Sequence, residues 1–169
     1  MLQPSDSVIS TTNFSRAEWL ALLARAPLDL LEQVLKNHTQ QAPQWLRAPE
    51  TGLMMVEGRA GGTGERFNLG EVTVTRCALR LPNAQKIDPV GIAYVVGRSH
   101  RHAYLAAIAD ALLLSTTGQD ELEQSLLTPI KERLAQQNSA RQTQANSSKV
   151  EFFTVARESG AGQDDEDEA

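Results

Sequence analysis

Residues 90–98 (VGIAYVVGR) alternate two faces of unequal size. Val90, Ile92, Tyr94 and Val96 occupy one face, and Gly91, Ala93, Val95 and Gly97 the other. Alternation with period two is the pattern of a strand. A strand face made of glycine, alanine and valine has almost no side-chain bulk. It lets a helix or a second backbone approach closely, and it restricts what can pack there. Residue 99 is serine, a good helix N-cap, and an alanine- and leucine-rich helix with Leu105, Ile108, Leu112 and Leu113 follows to about residue 115.

The rest of the chain arranges itself around that strand. Ser15-Arg-Ala-Glu18 is a capping box that opens a first helix with Trp19, Leu20, Leu22 and Leu23. Pro27 suits the first position of a second helix, striped by Leu28, Leu31 and Leu35. Residues 38–49 hold two prolines and read as a connection. Residues 51–57 (TGLMMVE) and 71–81 (EVTVTRCALRL) read as strands, joined through a glycine-dense loop over residues 58–64. Pro82, Asn83 and Pro89 bracket a turn before the small-faced strand. After it, Thr116-Thr-Gly118 breaks the helix, and residues 120–127 make a short helical piece. Thr128-Pro129 then reads as a cap with proline at the first helical position, opening a polar helix to about residue 146. Val150, Phe152, Phe153 and Val155 form a last apolar cluster.

This order predicts an α+β domain: N-terminal helices, a small and mainly antiparallel sheet of three or four strands, and C-terminal helices. The expected domain spans residues 15–158, between a disordered N-terminus (1–14) and a disordered acidic tail (159–169). The net charge of −5 comes from that tail, where Asp164, Asp165, Glu166, Asp167 and Glu168 supply five negative charges. The body is therefore neutral, which argues against nucleic acid as a partner. No run approaches the roughly 20 apolar residues of a membrane span. No secretion leader is read in the first residues, and the single cysteine, Cys77, cannot close an internal disulfide. The expected compartment is the cytoplasm.

Two features invite a chemical reading. The first is Gly61-Gly62-Thr63-Gly64-Glu65-Arg66, whose glycines would let backbone N–H groups face an anion. Its spacing fits neither phosphate loop, because Gly64 precedes Glu65 and not Lys, and a strand follows where a helix belongs. The plain alternative is a strand connection. The second is arginine: 12 of the 16 basic residues, six of them at 59, 66, 76, 80, 98 and 101. The guanidinium fork suits phosphate or carboxylate, and it suits protein interfaces equally. Arg76 and Arg80 share a strand face, about 13 Å apart at roughly 3.3 Å per residue.

Other chemistries lack a constellation. His100 and His102 are two apart and point to different sides of a helix, so no metal site is expected. Cys77 lies within a strand, on the face of Thr75 and Leu79, and reads as a buried, inert thiol. The carboxylates Glu57, Glu65 and Glu71 flank the loop, with nothing to single one out. Trp45 reads equally as an interface anchor or as a residue packed on its own domain.

Taken in order, Glu50-Thr-Gly-Leu53, Gly61-Gly-Thr-Gly-Glu-Arg-Phe67 and Thr73-x-Thr-Arg76 are similar to the G subunits of the bacterial carbon–phosphorus lyase core complex (PhnG). Gly97-Arg98, Ala109-Asp-Ala-Leu112 and Val150-x-Phe-Phe-Thr-x-Val-Arg157 extend the resemblance over about residues 15–158. The tail and the length of the loop at residues 83–90 fall outside it. The resemblance implies an accessory subunit that assembles with PhnH, PhnI and PhnJ, helped by the ATPase-like PhnL. It implies a reaction in which ATP loses adenine and a phosphonate is joined to C1 of ribose 5-triphosphate, in organic phosphonate catabolism. ATP is then a substrate of the complex, the chain has no cofactor of its own, and no catalytic residue is carried over to it. The expected substrate- or partner-contacting residues are Gly61, Gly62, Thr63, Gly64, Glu65, Arg66, Arg76 and Arg80. The rival reading is a stand-alone phosphate or nucleotide binder that uses the Gly58–Gly64 loop with Arg66, Arg76 and Arg80.

Overall fold

A computed structural model describes residues 14–40, 42–82, 89–115 and 119–149. Within them the order is α1 (Arg16–Leu23), α2 (Leu28–Leu35), β1 (Gln44–Arg59), β2 (Arg66–Arg80), β3 (Val90–Val96), α3 (His100–Leu113), α4 (Gln119–Leu122) and α5 (Thr128–Ser147). A π-helical segment, Glu123–Leu127, joins α4 to α5. The sheet is antiparallel in the order β1-β2-β3. The architecture is the expected α+β arrangement, with three strands among the described residues. The N-terminal segment, the 116–118 break, the 150–155 cluster and the acidic tail lie outside those residues.

The core is one layer of helices on one face of the sheet. Thr75, Cys77 and Leu79 of β2 and Ala93 and Val95 of β3 turn toward α3 and are buried. On α3, Ala103, Leu105, Ala106, Ala107, Ile108, Ala109 and Ala111 are buried with them. A Cβ on Gly91 would overlap the carbonyl oxygen of Ala107 and crowd the amide of Ala111. The missing bulk on this face is what brings α3 down onto the strand, the close approach that the alternation implied. Leu31 and Leu35 of α2, with Leu126, Leu127 and Ile130, complete the core.

The capping box forms: Ser15 and Glu18 exchange hydrogen bonds, and the Glu18 carboxyl is held below its usual range, chiefly by the Ser15 hydroxyl. Ser99 caps α3 through its hydroxyl, which accepts from the His102 amide at 3.2 Å. Four local expectations are corrected. Pro27 is the extended N-cap of α2, and the helix begins at Leu28. Residues 44–49, read as connection, are strand; irregular register on either side of Arg47 accommodates Pro49, which a central strand would not. β2 begins at Arg66, not Glu71, because residues 66–70 pair with the far end of β1. Thr128 is not a cap: the chain stays helical from Leu122 onward, and the Thr128 hydroxyl donates back to the Glu123 carbonyl at 3.3 Å.

Lengthening both strands changes the shape. β3 pairs with β2 only from Arg80 to Val74. Beyond that, β1 and β2 run on as a two-stranded arm, from Leu53 opposite Thr73 to Arg59 opposite Arg66. At about 3.3 Å per residue the arm is roughly 23 Å long. Helix α5 is buried at Ile130 and exposed along nearly all of its later length. No helix among the described residues is long and apolar enough to cross a membrane.

Candidate functional site

The glycine-rich segment is the turn of the arm. Gly61 and Gly62 take φ of 58° and 81°, left-handed values that favour glycine. The Gly64 amide donates to the Ala60 carbonyl at 2.9 Å, and Arg59 donates to the Gly64 carbonyl at 3.2 Å. The turn thus spends these groups on its own closure. Thr63 and Glu65 are exposed beside it. Arg66 is exposed and lies 3.8 Å from Glu57 across the ribbon. This is the strand connection that spacing allowed as the plain reading.

Arg76 and Arg80 sit elsewhere, on the sheet face turned away from α3. Arg76 Nε donates to Glu50 Oε1 at 2.7 Å, and Arg47 donates to the same oxygen at 2.6 Å. The Glu50 carboxyl is held low, first by the bond from Arg76 and then by the nearby Arg47 charge. Arg80 is partly buried, and its Nε has no hydrogen-bond partner. Around these arginines Met54, Tyr94 and Val96 stand about half exposed or more, with no layer over them among the described residues. The face mixes apolar groups with guanidinium groups, a composition found in protein interfaces.

The expected site residues therefore fall into two groups. Gly61, Gly62, Thr63, Gly64, Glu65 and Arg66 form the arm tip; Arg76 and Arg80 belong to the body. Arg66 and Arg80 are the two ends of one strand, roughly 46 Å apart at 3.3 Å per residue. The fold does not gather them into one pocket. Arg101 is engaged with Glu32 at 3.1 Å and lies over the Tyr104 ring. Trp45 packs on Tyr104 with ring centroids 5.4 Å apart, so it serves its own domain.

The histidines point to different sides, as their spacing required. His102 Nε2 is 2.8 Å from the Leu23 carbonyl oxygen, which can only accept, so this nitrogen carries the proton. His100 Nε2 meets Thr51 Oγ1 at 3.0 Å. Thr51 Oγ1 is 3.1 Å from Thr75 Oγ1, and the Thr75 hydroxyl donates to the Gly97 carbonyl at 2.7 Å. Each hydroxyl has one proton, so the direction is set throughout: His100 donates to Thr51, Thr51 to Thr75, and Thr75 to Gly97. This relay ties β1, β2, the end of β3 and the start of α3 together at the root of the arm.

Sequence reasoning missed a second polar centre. Asp110, fully buried on α3, accepts from Trp19 Nε1 at 2.8 Å, Arg16 Nη2 at 2.8 Å, Arg16 Nε at 3.3 Å and the Ile92 amide at 2.9 Å. Arg16 Nη2 also reaches the Val90 carbonyl at 3.4 Å. One carboxylate thus joins α1, α3 and the outer edge of β3. The available signal was the acid itself: a charge inside an apolar helix must find partners. The Cys77 thiol is pushed up to about 11 by burial, as an inert core thiol should be. Among the described residues no three His, Cys, Asp or Glu side chains gather to hold a metal ion.

Two comparisons bear on this arrangement. The family model for "Phosphonate metabolism protein PhnG" matches residues 14–158. A protein of Rhizobium meliloti (strain 1021), "Alpha-D-ribose 1-methylphosphonate 5-triphosphate synthase subunit PhnG", is 37% identical over 145 residues, covering 84% of this chain and 88% of that protein.

Proposed function

The chain belongs to the PhnG family of phosphonate metabolism proteins, and from that membership we propose that it is an accessory subunit of α-D-ribose 1-methylphosphonate 5-triphosphate synthase. The observation that carries the reading is the extent of the match: it runs through the arm, the sheet and the helices, and covers most of the relative named as that subunit. The geometry supports it independently. The glycines and arginines that a self-contained phosphate binder would need are divided between an arm tip and a distant sheet face. An open face of mixed apolar and guanidinium groups suits a chain whose surfaces are completed by others.

In this reading the subunits PhnI, PhnH and PhnJ, with the ATPase-like PhnL, are its partners, in the cytoplasm. The assembly uses ATP as a substrate, releases adenine and joins methylphosphonate to C1 of ribose 5-triphosphate. The arm-tip residues and Arg76 and Arg80 are contact residues toward those partners or their substrate. The test has two parts. Co-expression with the other subunits should give a stable complex that releases adenine from ATP in the presence of methylphosphonate, and leaving this chain out should abolish that release. Calorimetric titration of the isolated chain with ATP should show no binding tighter than about 100 μM, roughly −5.5 kcal/mol. A monodisperse monomer that ignores the other subunits and binds ATP more tightly than that would overturn the proposal.

A further inference from the structure

The arm carries large apolar side chains on both faces. Leu53 and Met55 continue the face that α3 covers in the body. Met54 and Val72, paired across the strands, lie on the opposite face, joined beyond the register shift between Val56 and Glu57 by Phe67 and Leu69, which converge over Gly58. Exposure is 67% at Leu53, 69% at Leu69 and 45–50% at Met54, Met55 and Phe67. An isolated two-stranded ribbon is marginal in water, and an apolar one with open edges invites unwanted pairing. Nearer the body, Pro49 and irregular register interrupt the outer edge of β1; from Leu53 to Val56 no proline or charge does.

We propose that the arm inserts into a two-walled apolar cleft of a non-identical subunit of the synthase, an inference that rests on the reading above. The five most exposed side chains present on the order of 500 Å² for burial, at about 200 Å² for a whole side chain of this size. With the ribbon backbone and tip, this approaches the roughly 800 Å² per partner of a stable interface. A second copy of the chain does not answer the requirement. A two-fold contact buries the same face of each arm, and leaves either the side of Leu53 and Met55 or the side of Met54, Phe67 and Leu69 in water. Nor does the chain offer the cleft itself at its apolar hollow beside α1 and β3. That hollow, lined by Leu20, Leu23, Ala24, Ile92 and Tyr94, is about 80 Å³ and has room for one side chain, not for a ribbon. Arg66 lies against Glu57 and Arg59 against the Gly64 carbonyl, while the exposed Glu65 and Glu71 must stay at the polar rim of the cleft.

The experiment uses the full chain co-expressed with the other synthase subunits. Amide hydrogen exchange is read over residues 53–73, free and assembled, for the wild type. The double substitution L53E/L69E is compared with Q136E on the exposed part of α5. Insertion predicts at least 100-fold slower exchange of the arm on assembly. It predicts at least a tenfold loss of co-purifying subunits for L53E/L69E, none for Q136E, and unchanged circular dichroism and melting of the free double variant. Unchanged arm exchange in an assembled wild-type complex would overturn the inference and leave the subunit reading intact. A free-chain dimer that L53E/L69E dissociates would overturn it in favour of a second copy. Failure of the wild-type chain to join the other subunits at all would remove the subunit reading, and the inference with it.

Discussion

The indole nitrogen of Trp19 donates to Oδ1 of Asp110 at 2.8 Å, inside a core where that carboxylate has no contact with solvent. The two residues are 91 positions apart, and their bond fixes α1 against α3. Removing the acid leaves the Trp19 and Ile92 N–H groups without an acceptor. Asp110→Ala should therefore cost about 3–5 kcal/mol, read as a lower urea midpoint for the full chain. Arg16→Ala should also be strongly destabilising, because it leaves the fully buried Asp110 carboxylate with two neutral N–H donors and no counter-charge. An unchanged midpoint for Asp110→Ala would show that the network does not hold α1.

Gly91→Ala tests the close approach of α3. The new methyl must displace the Ala107 carbonyl, which belongs to helix backbone and cannot swing aside. The expected loss is about 2–3 kcal/mol or more, measured by the same denaturation. Ala93→Gly, on the same face, should cost no more than about 1 kcal/mol.

Thr75→Val keeps the shape of a fully buried side chain and deletes the middle of the relay from His100 to Gly97. It should cost about 1–2 kcal/mol. It should also speed amide exchange at the arm root more than in α2, which takes no part in the relay.

With its pKa at about 11, Cys77 should be roughly one part in a thousand thiolate at pH 8 and correspondingly slow to alkylate. Iodoacetamide labelling of the native chain at that pH should be slow. It should rise at least 100-fold in denaturant, where the thiol returns to about 8.5. Rapid native labelling would place the thiol at the surface.

Arg66→Ala should leave co-purification of the complex intact and lower adenine release by about tenfold or more, if the arm tip steadies an anionic substrate held by another subunit. Normal turnover in an intact complex would confine Arg66 to its exposed pairing with Glu57, a contact worth little.

How far the sequence could be read depended on how local each signal was. Ser15 and Glu18 make their bonds within one turn, and that helix start was legible. So was the small face of β3, because alternation alone exposes it. The start of β2 was not: Arg66, Asn68 and Gly70 have weak strand preferences, and their strand state comes from pairing with Arg59, Glu57 and Val56. Pro49 pointed away from strand for the same reason, since its tolerance depends on lying in an edge strand. At the site, the shared face of Arg76 and Arg80 was legible. Their distance from Gly61–Arg66 was not, because it follows from the true length of β2. The Asp110 centre depends on a contact with α1 that no local pattern encodes.

The arm is also a lever. It is rooted at Thr51 and Thr75 and free beyond them, so a tilt of about 10° at the root moves the tip by about 4 Å over its roughly 23 Å length. A rotamer-scale adjustment around the relay would thus become a displacement larger than a hydrogen bond at Arg66. Where the tip comes to rest is then decided by whatever grips the ribbon along its sides, more than by the body that carries it.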